Sequence, residues 1–298
     1  MSPANDRRAN RTTTIASRLW ALITGLFTRP HERAGHLLRL ADTFRADDFV
    51  REWNAEPRPA PMPPSTDPTA SPNPLRAYFD AHTSGPGVWK WMHYFDIYHR
   101  HFQKFVGRDV HVVEVGVYSG GSLQMWQHYF GERCRVTGID TEDACKIYEN
   151  DTTRIAIGDQ GDPAFWARFR AEFPPIDILI DDGSHMPLDQ VTTLEETLRY
   201  LKPGGVYLCE DTGGVGNRFV RYAQSVVAHL NAIDLLGPNL DICRPRPAQA
   251  AVYSAHFYPF VVVIEKTDIP TEYLVLTRRG SEWQEISKTS FRKLLRED

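Results

Sequence analysis

Residues 110–122 read Val110-His-Val-Val-Glu114-Val-Gly116-Val-Tyr-Ser-Gly120-Gly121-Ser122, an apolar β-branched run followed by three glycines and the start of a helix. A continuous apolar run, rather than an alternating one, is what a strand covered on both faces requires, and that is the environment of a parallel sheet. Glycines at a strand-to-helix turn let the backbone approach a ligand at the carboxyl edge of such a sheet, beside the point where strand order reverses. The spacing is E-x-G-x-x-x-G rather than the G-x-G-x-x-G that seats a dinucleotide pyrophosphate. A carboxylate at the strand end suits a ligand bearing an ammonium group, which makes Glu114, Gly116 and Ser122 the first candidate ligand contacts.

Downstream, short apolar strands alternate with helical segments. Strands are predicted at Val110–Val115, Arg135–Ile139, Arg154–Ile157, Ile176–Ile180, Gly205–Cys209 and Phe260–Ile264, and helices at Ser122–Phe130, Pro163–Phe173, Pro187–Leu201 and Arg218–Asn231. This alternation predicts an α/β fold, a Rossmann-like, mostly parallel, doubly wound sheet with helices on both faces. Upstream, the aromatic and histidine-rich stretch Val88–Phe105 reads as one long helix, its aromatic face packed in the core and Lys90, His93 and Tyr94 within reach of a neighbouring site. Eight of the eighteen residues from Pro57 to Pro74 are proline, so 57–75 reads as an extended linker. It separates a helical extension, 1–56, from the main domain, 76–298. Within the extension Leu37, Leu40, Ala41 and Phe44 recur at helical spacing, and Ile15–Phe27, interrupted by Arg18, reads as an amphipathic helix rather than a signal peptide or membrane span.

Acids recur at the ends of successive strands. Asp140 closes the second, about 20 residues past Gly120, where a carboxylate accepts both hydroxyls of a ribose. Asp159 and Gln160 close the third and are placed for the exocyclic amine of an adenine. The fourth and fifth strands run into Asp181-Asp182-Gly-Ser-His185 and Glu210-Asp211, and in a doubly wound sheet these are neighbours. Asp182, Glu210 and Asp211 brought together repel one another unless a cation neutralises them, and all-oxygen ligation favours Mg²⁺, Ca²⁺ or Mn²⁺ over zinc. His185, three residues past Asp182, is the candidate general base, with helix capping as its structural alternative.

With 34 basic against 38 acidic residues and a formal charge of −4, nothing draws nucleic acid or an anionic membrane to the surface. Cys134, Cys145, Cys209 and Cys243 form no C-x-x-C pair, which fits a reduced, cytoplasmic setting.

Taken together, Lys90-Trp91 with His93-Tyr94, Tyr98-x-Arg100-His101-Phe102, Glu114-Val-Gly116, Gly120 to Trp126, Gly158-Asp159-Gln160, Asp181 to His185, Lys202-Pro-Gly-Gly-Val-Tyr and Glu210-Asp211 resemble the metal-dependent sugar O-methyltransferases of macrolide biosynthesis, the mycinamicin and macrocin type, whose relatives include cephalosporin hydroxylase-like sequences. The resemblance covers about Trp89 to Lys266. It implies the class I methyltransferase fold, S-adenosyl-L-methionine as methyl donor, Mg²⁺ on Asp182, Glu210 and Asp211, and a small-molecule glycosylated acceptor. Two vicinal hydroxyls of its sugar would meet the metal and His185 would deprotonate one of them. The chain departs from the family in Thr212-Gly-Gly-Val-Gly-Asn217, glycine-rich where an aromatic or histidine-containing loop is expected. A homo-oligomer is expected from the apolar faces of the N-terminal helices. Three alternatives stay open: a phenol or catechol O-methyltransferase sharing the metal chemistry, an iron-dependent hydroxylase, and a non-catalytic scaffold retaining the cofactor fold.

Overall fold

The computed structural model describes residues 30–57, 73–214, 216–231, 242–277 and 279–281. The apolar stretch 15–27 and most of the proline-rich stretch lie outside them. The chain divides into two units, residues 1–69 and 70–298. In the first, α1 (Pro30–Trp53) occupies the helical periodicity of the extension.

The second unit opens on α2 (Pro74–Ala81), which the linker reading missed. Asn73 caps it, its side-chain oxygen accepting from the Leu75 amide at 3.0 Å, and Pro74 at the first helical position has no amide to leave unsatisfied. The helix predicted from Val88 begins only at α3 (Tyr94–Phe102) and ends in a 3-10 turn at 103–105. Residues 87–91 are non-helical. The Lys90 side chain is drawn into a set of carboxylates, and those ion pairs outweigh a helix propensity of tenths of a kcal/mol per residue.

There follow β1 (Val110–Val115), α4 (Gly121–Phe130), β2 (Cys134–Asp140), β3 (Thr153–Ile157), α5 (Pro163–Glu172), β4 (Ile176–Asp181), α6 (Pro187–Thr197), β5 (Leu201–Cys209), α7 (Arg218–Ala228), β6 (Ile242–Cys243), α8 (Pro247–Ala251), β7 (Val252–Tyr258), β8 (Val261–Lys266) and β9 (Leu274–Val275). Seven strands form one sheet in the order β3-β2-β1-β4-β5-β8-β7, and β6 and β9 pair separately. β3, β2, β1, β4 and β5 are mutually parallel, and β8 runs antiparallel to both β5 and β7. β5 begins at Leu201, four residues before the predicted Gly205, and helix α6 stops correspondingly early.

Alternation along the strands builds two cores. Val110 and Val112 pack with Phe102, Trp126 and Phe130 beneath α3 and α4, while Val113 and Val115 pack with Trp166, Phe169, Leu194 and Phe219 beneath α5, α6 and α7. The register then levels the carboxyl ends: Val115 pairs with both Ile139 and Asp181, and Asp181 with Cys209. The residues that follow these strands are thereby delivered to one edge. Gly116 is what lets two of those loops touch: at φ 90° its added Cβ would lie 2.1 Å from the Asp182 carbonyl oxygen, so any side chain would force β1 and β4 apart.

Candidate functional site

A cleft of about 1280 Å³ opens at this edge, floored by Val115–Val117 and Ile139–Asp140 and walled by residues from the 87–94 segment. At one end stands Asp140. Its Oδ2 accepts from the Val117 and Tyr118 amides at 2.9 and 3.2 Å, and Oδ1 accepts from the Glu142 amide at 3.1 Å. Burial alone would raise this carboxyl; the three amides outweigh it and hold Asp140 below the ordinary aspartate range. The group is therefore ionised, oriented, and still has lone pairs for a ligand in the cleft. Asp159 also lines the cleft, exposed, with Oδ1 accepting from the Gly161 amide at 2.7 Å. Gln160 sits beside it but is differently engaged. Its amide donates to Asp181 Oδ1 at 2.8 Å and Thr193 Oγ1 at 3.0 Å and accepts from the Ser184 amide at 2.6 Å, tying the end of β3 to the 183–184 loop.

Glu114 corrects the sequence reading. It is fully buried on the α4 face of β1 and does not line the cleft. Its Oε2 accepts from Ser122 Oγ at 2.7 Å, its Oε1 has no hydrogen bond, and Lys90 Nζ stands 3.5 Å from Oε1. Burial pushes this carboxyl up against the pull of Lys90. Glu114 lies on the α4 face of β1, behind Ser122 and Lys90, which line the cleft together with Val115.

At the other end the second acidic set converges. Lys90, 3% exposed, places Nζ 2.5 Å from Asp182 Oδ2 and 3.0 Å from Glu210 Oε2. Tyr98 donates to Glu210 Oε1 and Tyr94 to Asp211 Oδ1, each at 2.6 Å. Burial, then the neighbouring Asp182, raises Glu210, and Lys90 and Tyr98 oppose this. His185 Nε2 lies 3.9 Å from Asp182 Oδ1 and 3.8 Å from Asp211 Oδ2. Both His185 (φ 56°) and Asp211 (φ 51°) are left-handed non-glycine residues, a conformation costing on the order of 1 kcal/mol or more and concentrated at functional sites. His93 does not reach the site; its Nε2 meets the Pro259 carbonyl at 3.0 Å.

These residues fit a hard divalent cation. Asp182, His185 and Asp211 offer ligand atoms that all lie within 4.8 Å of one another. The Lys90 ammonium faces three carboxylates, Glu114, Asp182 and Glu210, while Asp211 lies against the His185 ring, a set rich in carboxylate oxygens that suits a cation. All three acids predicted as ligands line the cleft, Asp182 and Asp211 partly exposed and Glu210 only 1% exposed with both oxygens in the bonds to Tyr98 and Lys90.

Asp181, adjacent in sequence, turns away from the cleft and is wholly buried against Gln160 and Tyr207. Burial pushes its carboxyl to about 6, against hydrogen bonds from Gln160 and Tyr207. The folded state thus binds this proton more tightly than the unfolded chain, and the stability that binding contributes is lost as pH rises from about 4 through about 6. Asp181→Asn carries no such proton. Its urea-unfolding free energy relative to wild type is expected to rise by about 2–3 kcal/mol between pH 4 and pH 7.5 and then stay level; a pH-independent difference would show that Asp181 is not the titrating group.

The strand order, the single reversed strand β8 and the cleft at the carboxyl edge are those of a Rossmann-like class I methyltransferase. No protein-family model matches the chain. It is similar to demethylmacrocin O-methyltransferase of Streptomyces fradiae, 37% identical over 131 residues that make up 41% of this chain and 33% of that one. It is also similar to the 8-demethyl-8-alpha-L-rhamnosyl tetracenomycin-C 2'-O-methyltransferase of Streptomyces olivaceus, 38% identical over 201 residues, 61% of this chain and 52% of that one. Among solved structures, the MycE methyltransferase of the mycinamycin pathway, in complex with Mg and SAH, superposes with a TM-score of 0.54 at 26% identity, covering 65% of this chain and 54% of that one. The chain thus spans from a third to about half of the length of these curated relatives. Among the described residues no helix is long and apolar enough to cross a membrane.

Proposed function

We propose that this chain is an S-adenosyl-L-methionine- and Mg²⁺-dependent O-methyltransferase acting on a sugar hydroxyl of a small glycosylated natural product. The observation that carries the reading is the placement of Asp182, His185 and Asp211 at one end of a cleft whose other end is the amide-locked Asp140. Relatives that methylate sugars of macrolides and tetracenomycins support the acceptor class, and a MycE complex with Mg, SAH and mycinamycin VI supports the donor and the metal.

In this reading Asp140 holds the ribose hydroxyls and Asp159 the adenine amine. Asp182 and Asp211, backed by Glu210, hold the metal. When bound, Mg²⁺ would make an acceptor hydroxyl more acidic and stabilise the charge that develops on its oxygen, while the donor presents a methyl on a sulfonium. His185 Nε2 receives the hydroxyl proton, and the carboxylates of Asp182 and Asp211 on either side stabilise the imidazolium that results. At the cleft mouth Trp89, Trp91, Met92 and Phe260 are exposed, an apolar rim suited to the aglycone of an amphipathic acceptor.

The test is methyl transfer from labelled S-adenosyl-L-methionine to a panel of rhamnosylated polyketides, their aglycones and catechol, with Mg²⁺ or a chelator. Labelled glycoside only, lost in chelator and regained with Mg²⁺, is the expected outcome. Efficient labelling of catechol or of the aglycones would move the chain to the phenol-methylating class.

A further inference from the structure

Resting on the metal site just proposed, we infer that Lys90 is a tethered counter-ion of that site, which holds Asp182 and Glu210 in the metal-free protein and withdraws toward Glu114 when the divalent cation takes their oxygens.

A lysine 3% exposed is costly to bury unless it is closely paired, and Lys90 is paired with two acids from different strand ends of the sheet. Its ammonium lies against Asp182 Oδ2, on a carboxylate of the candidate cation group, and against Glu210 Oε2, the acid next in sequence to Asp211 of that group. Mg²⁺ draws its oxygens to about 2.1 Å, so an ammonium on the same atoms would be in contact with the ion and repelled by it. The two positive charges therefore compete for these carboxylates.

The independent observation is the place left for the displaced ammonium. Glu114 is completely buried, and its Oε1 accepts no well-formed hydrogen bond, the neighbouring Trp126 indole N–H being likewise unpaired, although a carboxylate oxygen in such a place ordinarily has a partner. That atom stands 3.5 Å from Lys90 Nζ, too far for a hydrogen bond and near enough for one to form after a shift of under an ångström. Lys90 also belongs to the non-helical segment that carries Trp89, Trp91 and Met92 to the cleft rim. Its movement therefore links arrival of the metal to the wall that meets the acceptor.

The experiment uses the full chain in which lysine side chains carry nitrogen-15. The Lys90 ammonium, shielded from solvent, gives a resolved Nζ resonance, assigned by its absence in Lys90→Met, and MgCl₂ is titrated in while calorimetry measures the same binding. The resonance is expected to move with the calorimetric midpoint. Lys90→Met, which keeps the stem and removes the charge, is expected to bind Mg²⁺ at least about tenfold more tightly. Its thermal midpoint is expected to fall below that of wild type in chelator and to recover in saturating Mg²⁺. Glu114→Gln, which removes the charge that receives the ammonium, is expected to weaken Mg²⁺ binding by about tenfold. If wild type binds Mg²⁺ and the Lys90 resonance stays still, the exchange is wrong and the metal site stands. If neither wild type nor Lys90→Met binds Mg²⁺, the metal site itself is wrong and the exchange falls with it. Should Lys90→Met fail to fold, the wild-type titration, with the resonance assigned from Lys90→Arg, decides alone.

Discussion

His185→Asn lowers kcat by about 10²–10⁴-fold, the usual contribution of a positioned general base, while the affinities for S-adenosyl-L-methionine and Mg²⁺ change by no more than a few-fold. Asparagine is the informative replacement. His185 sits at φ 56°, and asparagine tolerates the left-handed region better than alanine, so the backbone of the 182–186 loop is retained while the proton acceptor is removed. Among the described residues, the other side chains near the acids are not suited to the task. Tyr94 and Tyr98 donate to Asp211 and Glu210 and are pushed well above the ordinary tyrosine range, first by burial and then by those carboxylates and Asp182, and Lys90 is held protonated by three acids. The check is kcat for both proteins with S-adenosyl-L-methionine and Mg²⁺ saturating, and again with imidazole added, which should restore part of the rate to His185→Asn and none to wild type. A variant keeping more than half of the wild-type kcat would mean the proton leaves by another route.

Much of this architecture was legible because the parallel strands are buried on both faces and so appear as unbroken β-branched runs. The ends of β1, β2, β3 and β4 fall within one residue of the positions expected from the sequence. Legibility failed where long-range chemistry overrides local preference. The aromatic stretch 88–105 carries a helical pattern throughout, yet its first third is non-helical because Lys90 answers to carboxylates 92 and 120 residues away. Leu201 to Gly204, where Pro203 and Gly204 suggest a loop, join β5 because Leu201 pairs with Ile176 of β4 ahead of a register shift. Asn73-Pro74 is a helix-start signature that a proline-rich neighbourhood concealed.

The site shows the same division. An acid at a strand's carboxyl end is visible in sequence, but the face it takes depends on strand parity. Asp140 and Asp182 leave their strands at the edge and meet the cleft, whereas Glu114, one residue short of the end of β1, points into the α4 core. Gln160 looked like a ligand contact because it follows Asp159; it lines the cleft, and three hydrogen bonds within the protein make it a brace as well. Lys90 carried the weakest sequence signal of all, a lone lysine among aromatics, although a cation was the one charge the acidic cluster called for.

Asp140→Ala is expected to weaken S-adenosyl-L-methionine binding by at least about 100-fold, about 2.7 kcal/mol, leaving Mg²⁺ binding at the opposite end of the cleft within a factor of about two. Two losses add. The carboxylate that accepts from the ribose disappears, and a charged acceptor typically contributes about 1.5–3 kcal/mol. The Val117, Tyr118 and Glu142 amides lose their common partner, and with it the turn after β1 loses the bonds that hold Tyr118 in its left-handed conformation at φ 46°. Asp140→Asn separates the two, since one amide oxygen keeps the turn while the charge and the second acceptor are gone; an intermediate loss of about tenfold is expected for it. Calorimetry on the three proteins, with far-ultraviolet circular dichroism to establish that the sheet is intact, gives the comparison. Equal binding by wild type and Asp140→Ala would place the nucleoside elsewhere in the cleft and remove the ribose from the account of β2, whatever the metal end does.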